Sequence, residues 1–263
     1  MANKQPSDPL ADRARRLGLY GLLAHWSELR EQPWIETLLG HEEAERGRRS
    51  LERRVRNSKI GRFKPIVDFD WDWPEVIDRP LIEELLKLEF LSEAANVILV
   101  GTNGLGKTMI AQNIAHLALM AGNTVLCTTA SAMLNDLAAQ DSSAALARRL
   151  RRYTTSSVLM VDEVGYLSYD SRAGDLLFEV VSRRHHQQRS VILTTNKVFK
   201  EWNEVFPNSS SVTALVDRLT HRAEFVKIEG ESYRAKEAEE RAALKARQRA
   251  AGNKGKRTGK KGA

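Results

Sequence analysis

The sequence predicts an α/β fold in which a parallel sheet is flanked by helices, preceded by a small all-helical N-terminal domain. Three observations predict it. Short apolar runs alternate with helix-forming stretches between Asn96 and Thr195. A glycine-rich loop, GTNGLGKT, joins the first of these runs to the helix-forming stretch after it. Upstream of Lys64 the apolar residues recur at helical steps of three and four, with no strand-like run among them.

Taken in order, residues 10–56 read as helical, with Leu17, Tyr20, Leu22, Leu23, Trp26 and Leu29 on the apolar side. A second helix is expected from about Glu42 to Ser58, charged over most of its surface. KPIVDFDWDWP, rich in Pro, Asp and aromatics, reads as a connector and sets the expected boundary between residues 65 and 66. NVILV, from Asn96 to Val100, reads as a buried strand leading into the glycine loop. A helix follows from Lys107 to about Ala121, stopped by Gly122. TVLCTT (124–129), SVLMV (157–161) and SVILTT (190–195) read as further strands, separated by helices at 131–139, 144–153 and 174–186.

The chain has 263 residues, a net charge of +7 and a single cysteine, Cys127. No internal disulfide can form, and no apolar stretch is long enough for a membrane span or a signal core. A cytoplasmic protein is expected. Its excess of Lys and Arg points to nucleic acid as a partner. From Arg46 to Lys64 nine basic residues face one acid, Glu52, and Arg48, Arg49, Arg53, Arg54, Arg56 and Lys59 are the candidate contacts to a phosphate backbone. A solvated helix face is the simpler reading of the same run. Nothing resembles a base-reading module, so little sequence specificity is expected. Residues 241–263 carry nine basic residues and no acid, and are expected to form a disordered tail. The six histidines are scattered and give no metal-ligand spacing. Trp71 and Trp73 could stack on a base, although packing of the connector explains them as well.

Four motifs carry chemistry. Gly101, Thr102, Asn103, Gly104, Leu105, Gly106, Lys107 and Thr108 match G-x-x-x-x-G-K-[ST], a phosphate-binding P-loop. Its glycines let backbone N–H groups turn toward phosphate oxygens, Lys107 supplies a point charge, and the Thr108 hydroxyl suits Mg²⁺. The helix that follows points its positive end at the same anion. SVLMVDE ends in Asp162, placed to hold Mg²⁺ and its hydration shell, and Glu163, placed to activate water. SVILTTN delivers Thr194, Thr195 and Asn196 to one edge of the sheet, where the Asn196 amide can meet the γ-phosphate or a water. LVDRLTHRAEF sets Arg218 and Arg222 four apart on an expected short helix. An arginine there can stabilise a transferred phosphoryl group, from a neighbouring subunit if need be. A local pair with Asp217 or Glu224 is the alternative.

Together GTNGLGKTMIAQNIAH, VDEVGYLSYD, LLFEVVSRRH, ILTTNKVFKEWNEVF, LVDRLTHRAEFVKIEGESYR and the upstream DFDW resemble the IstB-like ATP-binding proteins, over roughly Leu10 to Arg241. The resemblance implies an AAA+ P-loop ATPase of insertion sequences that binds ATP and Mg²⁺. It implies a homo-oligomer on duplex DNA, working with a separately encoded DDE transposase. It implies catalytic roles for Glu163, for Asn196 as first sensor, and for Arg218 reaching a neighbour's nucleotide. Residues 1–65 would then bind DNA or oligomerise, and 66–240 would be the ATPase domain. Too little chain follows Tyr233 for a full helical lid, which removes the usual second sensor arginine. A helicase loader in replication, with the same ATPase site, is the alternative function. A structural DNA-binding protein with a nucleotide switch is a third.

Overall fold

The computed structural model describes residues 8–166, 169–207 and 210–258. The chain forms two units, which divide in sequence between Arg56 and Asn57.

The first unit is helical. Asp8 caps α1 (Pro9–Arg16) by accepting from the Leu10 amide at 3.0 Å, and Pro9 pre-sets the first turn. The other Asp8 carboxylate oxygen accepts from Trp26 Nε1 at 2.8 Å, which ties α1 to α3 (Trp26–Leu29) across α2 (Tyr20–Ala24). α4 (Ile35–Ser58) begins a full seven residues before the expected Glu42. Its first turns bury Ile35 and Leu39 against Ala14 and Leu17.

The second unit holds a six-stranded sheet of order β1-β6-β2-β5-β4-β3. Its strands are β1 (Val76–Ile77), β2 (Asn96–Gly101), β3 (Val125–Thr129), β4 (Val158–Val164), β5 (Ser190–Thr195) and β6 (Ala223–Glu229). All neighbours pair in parallel except β1, which runs antiparallel to β6 at the edge. The helices are α5 (Arg79–Leu85), α6 (Lys107–Met120), α7 (Ala130–Ala138), α8 (Ser143–Thr154), α9 (Ser171–His186), α10 (Trp202–Val205), α11 (Val212–Thr220) and α12 (Tyr233–Thr258). The two-residue strand period divides the core. Val97, Leu99, Val158 and Met160 face α6, while Ile98, Leu159 and Val161 join the cluster under α7, α9 and α11. Buried on both faces, these strands read as unbroken apolar runs.

Three expectations need correction. The boundary at 65/66 falls inside the second unit. KPIVDFDWDWP is a packed strap, with Ile66, Phe69 and Trp71 against the core of α6. The Asn113 side chain of α6 accepts from the Ile66 amide at 2.9 Å and donates to the Lys64 carbonyl at 3.0 Å. Arg218 and Arg222 do not share a helix. α11 ends at Thr220, and Arg222 lies in the turn just before β6, whose alternating Val226 and Ile228 face inward. The expected disordered tail is helical to Thr258, because RAALKARQRAA is built from strong helix formers. Residues 259–263 lie outside the described residues.

Arg184 on α9 is fully buried. Its guanidinium donates to the carbonyls of Tyr153, Ser156, Ser157 and Ser190, joining the α8–β4 turn to the start of β5. These carbonyls come from the last turn of α8, the turn that follows it and the first residue of β5, and a buried cation with several donors satisfies them.

Candidate nucleotide-binding site

The P-loop leaves the carboxyl end of β2 and closes on the start of α6. Gly104 and Gly106 take φ of +85° and +84°, which side-chain-bearing residues rarely adopt. Space excludes them too. A Cβ on Gly106 would lie 2.5 Å from the Phe69 ring, and one on Gly104 would overlap Ser232 Oγ. Leu105 is buried in the α6 core and anchors the loop. The strap thus walls one side of the loop and the β6–α12 turn walls the other. Tyr233 donates its amide to the Gly104 carbonyl at 3.0 Å.

A cavity of about 400 Å³ opens here, lined by Gly104 to Thr108, Asp162 and Glu163. Lys107 is buried, and its ammonium donates to the carbonyls of Gly101 and Thr102, both at 2.7 Å. Burial is the main cause that pushes its pKa down to about 8. Asp162 Oδ1 accepts from Thr108 Oγ1 at 3.0 Å and from Thr194 Oγ1. Thr194 also accepts from the Glu163 amide at 2.9 Å. The β4–β5 register shifts between Val161 and Val164, and Glu163 has φ of +63°. This bulge turns Glu163 out of the strand alternation and leaves it exposed at the cavity while Val164 stays buried.

The expected residues do not all converge. Thr102 and Asn103 are exposed and do not line the cavity. Asn196 follows β5 and also stays off its walls, its buried Oδ1 without a hydrogen-bond partner beside Gly165. Thr194, ranked below Asn196 by sequence reasoning, makes the direct link to Asp162. Arg218 lies at the other end of the strands. Asn96, first residue of β2, donates to the Leu219 carbonyl at 3.0 Å, and the Asn96 amide donates to Arg222 O at 2.7 Å. Six strand residues separate that end from the P-loop by about 17 Å. There Arg218 stacks on Phe178, 4.5 Å from the ring centre, and its buried Nη1 has no hydrogen-bond partner. With Arg189, Arg222, His185 and His221 it lines a second, small cavity. Sequence reasoning missed Phe69, Tyr166 and Arg234 and weighed Trp73 only for base stacking or connector packing; these four line the main cavity from the strap, the β4 turn and α12. Only the quoted phrases DFDW and EGESYR hinted at the strap and α12 walls.

The basic run is partly neutralised on its own helix. Arg48 pairs with Glu45 at 2.8 Å and with Glu52, and Arg49 pairs with Glu45 at 2.6 Å. The two guanidiniums pull the Glu45 carboxyl down to about 2. Glu45 lies one residue before the basic window, and so escaped the count of acids. Arg54 donates to Ser50 Oγ at 2.8 Å. Arg53, Arg56 and Lys59 are exposed and have no ion pair among the described residues. Among the described residues no group of three or more His, Cys, Asp or Glu is gathered to hold a metal, and no helix is long and apolar enough to cross a membrane.

The sequence model of the IstB-like ATP-binding proteins matches residues 14–241. The chain belongs to that family. An IS5376 insertion-sequence protein of Geobacillus stearothermophilus, described as ATP-binding, is 34% identical over 231 residues, 84% of this chain and 92% of its own length. The corresponding IS21 protein of Pseudomonas aeruginosa is 34% identical over 210 residues, 80% of this chain and 79% of its own. Among solved structures, DnaI superposes with a TM-score of 0.53 at 18% identity, over 66% of this chain and 92% of DnaI. That likeness concerns the fold, an AAA+ P-loop α/β sheet. The IstB-like chain therefore carries its P-loop in an ATP-binding family of insertion sequences.

Proposed function

We propose that this IstB-like protein is an ATP-hydrolysing transposition helper. It assembles on duplex DNA with little sequence preference, presents that DNA to a DDE transposase and is reset by hydrolysis. The observation that carries the reading is the division of labour along the sheet. Lys107, Thr108, Asp162 and Glu163 share one cavity, while Arg218 stands by the opposite end of β2, a strand about 17 Å long. A protomer so built has a nucleotide site at one end of the strands and, at the other, an arginine without an ion pair or hydrogen bond among the described residues. Two copies arranged head to tail complete a site between them.

Lys107 holds the β- and γ-phosphates once its ammonium leaves the Gly101 and Thr102 carbonyls. The carboxylate of Asp162 and the hydroxyl of Thr108 form a hard-oxygen pair that fits Mg²⁺, with phosphate oxygens and water as the remaining ligands. Mg²⁺ at that pair would neutralise charge on the phosphates. Glu163, turned outward by the bulge, accepts the proton of the attacking water. Asn196 stands at the end of β5 off the cavity wall, so its contact to that water or to the γ-phosphate requires its side chain to turn away from Gly165. Arg53, Arg56 and Lys59 are the best-supported DNA contacts, because their charge is not met by acids. The relatives named for insertion sequences favour transposition over helicase loading.

The test is ATP-dependent assembly on duplex DNA, followed by sedimentation. Wild-type protein is expected to form large complexes with ATP and Lys107→Ala is not. Equal assembly without nucleotide contradicts the reading.

A further inference from the structure

α12 begins inside the nucleotide cavity. The Ser232–Tyr233 turn is packed on Gly104 and hydrogen-bonded to its carbonyl, which fixes the first turn of α12 beside the P-loop. Arg234, the next residue, lines the same cavity as Lys107, Asp162 and Glu163. Other charges on that side are paired: Lys64 with Glu237 at 3.1 Å, and Lys236 with Asp70 at 3.4 Å. Arg234 has no ion pair or hydrogen bond among the described residues. We infer that Arg234 binds the terminal phosphates of the triphosphate in its own protomer, opposite Lys107. This rests on the nucleotide site proposed above.

Position and charge both support it. Lys107 at the start of α6 and Arg234 at the start of α12 line the same cavity. Two cations that converge on one cavity repel each other. A triphosphate there relieves that repulsion, and the fork of a guanidinium suits two phosphate oxygens. Asp162 and Glu163 stand on the strand side of the same cavity and serve the other side of the phosphate chain. Arg218 and Arg234 divide the work: one serves the neighbour's nucleotide and the other its own.

The test is equilibrium binding of fluorescent ATP and ADP analogues to the full chain. Arg234→Ala is expected to weaken ATP at least tenfold and ADP by threefold or less, so that the preference for ATP falls. Arg234→Lys should restore part of that preference. An unchanged ATP-to-ADP ratio overturns the inference, since a packing role would lower both together. Arg234→Gln repeats the measurement should the alanine variant unfold. Lys107→Ala runs in parallel. Undiminished ATP affinity in that variant sinks the P-loop reading itself, whereas a loss in Lys107→Ala beside an unchanged Arg234→Ala sinks only the role of Arg234.

Discussion

Asp162 Oδ1 accepts hydrogen bonds from Thr108 on α6 and Thr194 on β5, so one carboxylate oxygen joins three elements at the nucleotide cavity. Thr194 holds it while also accepting from the Glu163 amide. Replacing Thr194 with Val removes both bonds at nearly constant volume. Turnover is expected to fall roughly tenfold with ATP binding little changed, because the loss is one of positioning. Steady-state ATPase assays beside nucleotide titration check this, and a loss of binding with normal turnover contradicts it. Glu163→Gln keeps size and hydrogen bonding and removes the base. Turnover should drop by about 100-fold while ATP is retained. Full turnover in that variant excludes Glu163 from activating water.

The elements show what could be read from sequence and why the rest could not. β2, β5 and α6 are legible because apolar runs bounded by Gly, Asn and Thr leave little alternative. β6 was hidden: AEFVKIE alternates, but its buried positions are only Val226 and Ile228, and the preceding arginines drew the reading toward helix. The strap at 64–74 was hidden for another reason. Its partners, Asn113 and the Gly106 backbone, are distant in sequence, so no local period marks them. In the site, the P-loop, Asp162 and Glu163 followed from spacing. Arg234 did not, because nothing local says that α12 starts at Gly104. Arg184 belongs to the same class of long-range staple. Arg184→Met should leave four backbone carbonyls without their donor and lower unfolding free energy by about 3 kcal/mol. Urea denaturation measures it, and a change below about 0.5 kcal/mol would mean that water replaces the guanidinium.

At the scale of the molecule, charge and assembly are linked. Arg48 and Arg49 are held by Glu45, so under the proposed binding to DNA they would add less than their number implies. Removing Arg53 and Arg56 together should flatten the dependence of log affinity on log salt by about 2, and removing Arg48 and Arg49 by less than half as much. Equal slopes would show that the acids release their partners on DNA. The shared nucleotide site itself is tested most directly by mixing two inactive proteins. Lys107→Ala keeps Arg218 but has no working P-loop, and Arg218→Ala keeps the P-loop but has no arginine to lend. Mixed on duplex DNA, they should recover ATPase activity, rising to a maximum at intermediate ratios. Absence of recovery at every ratio, with both variants folded and co-assembled, contradicts a site completed by Arg218 of a neighbour.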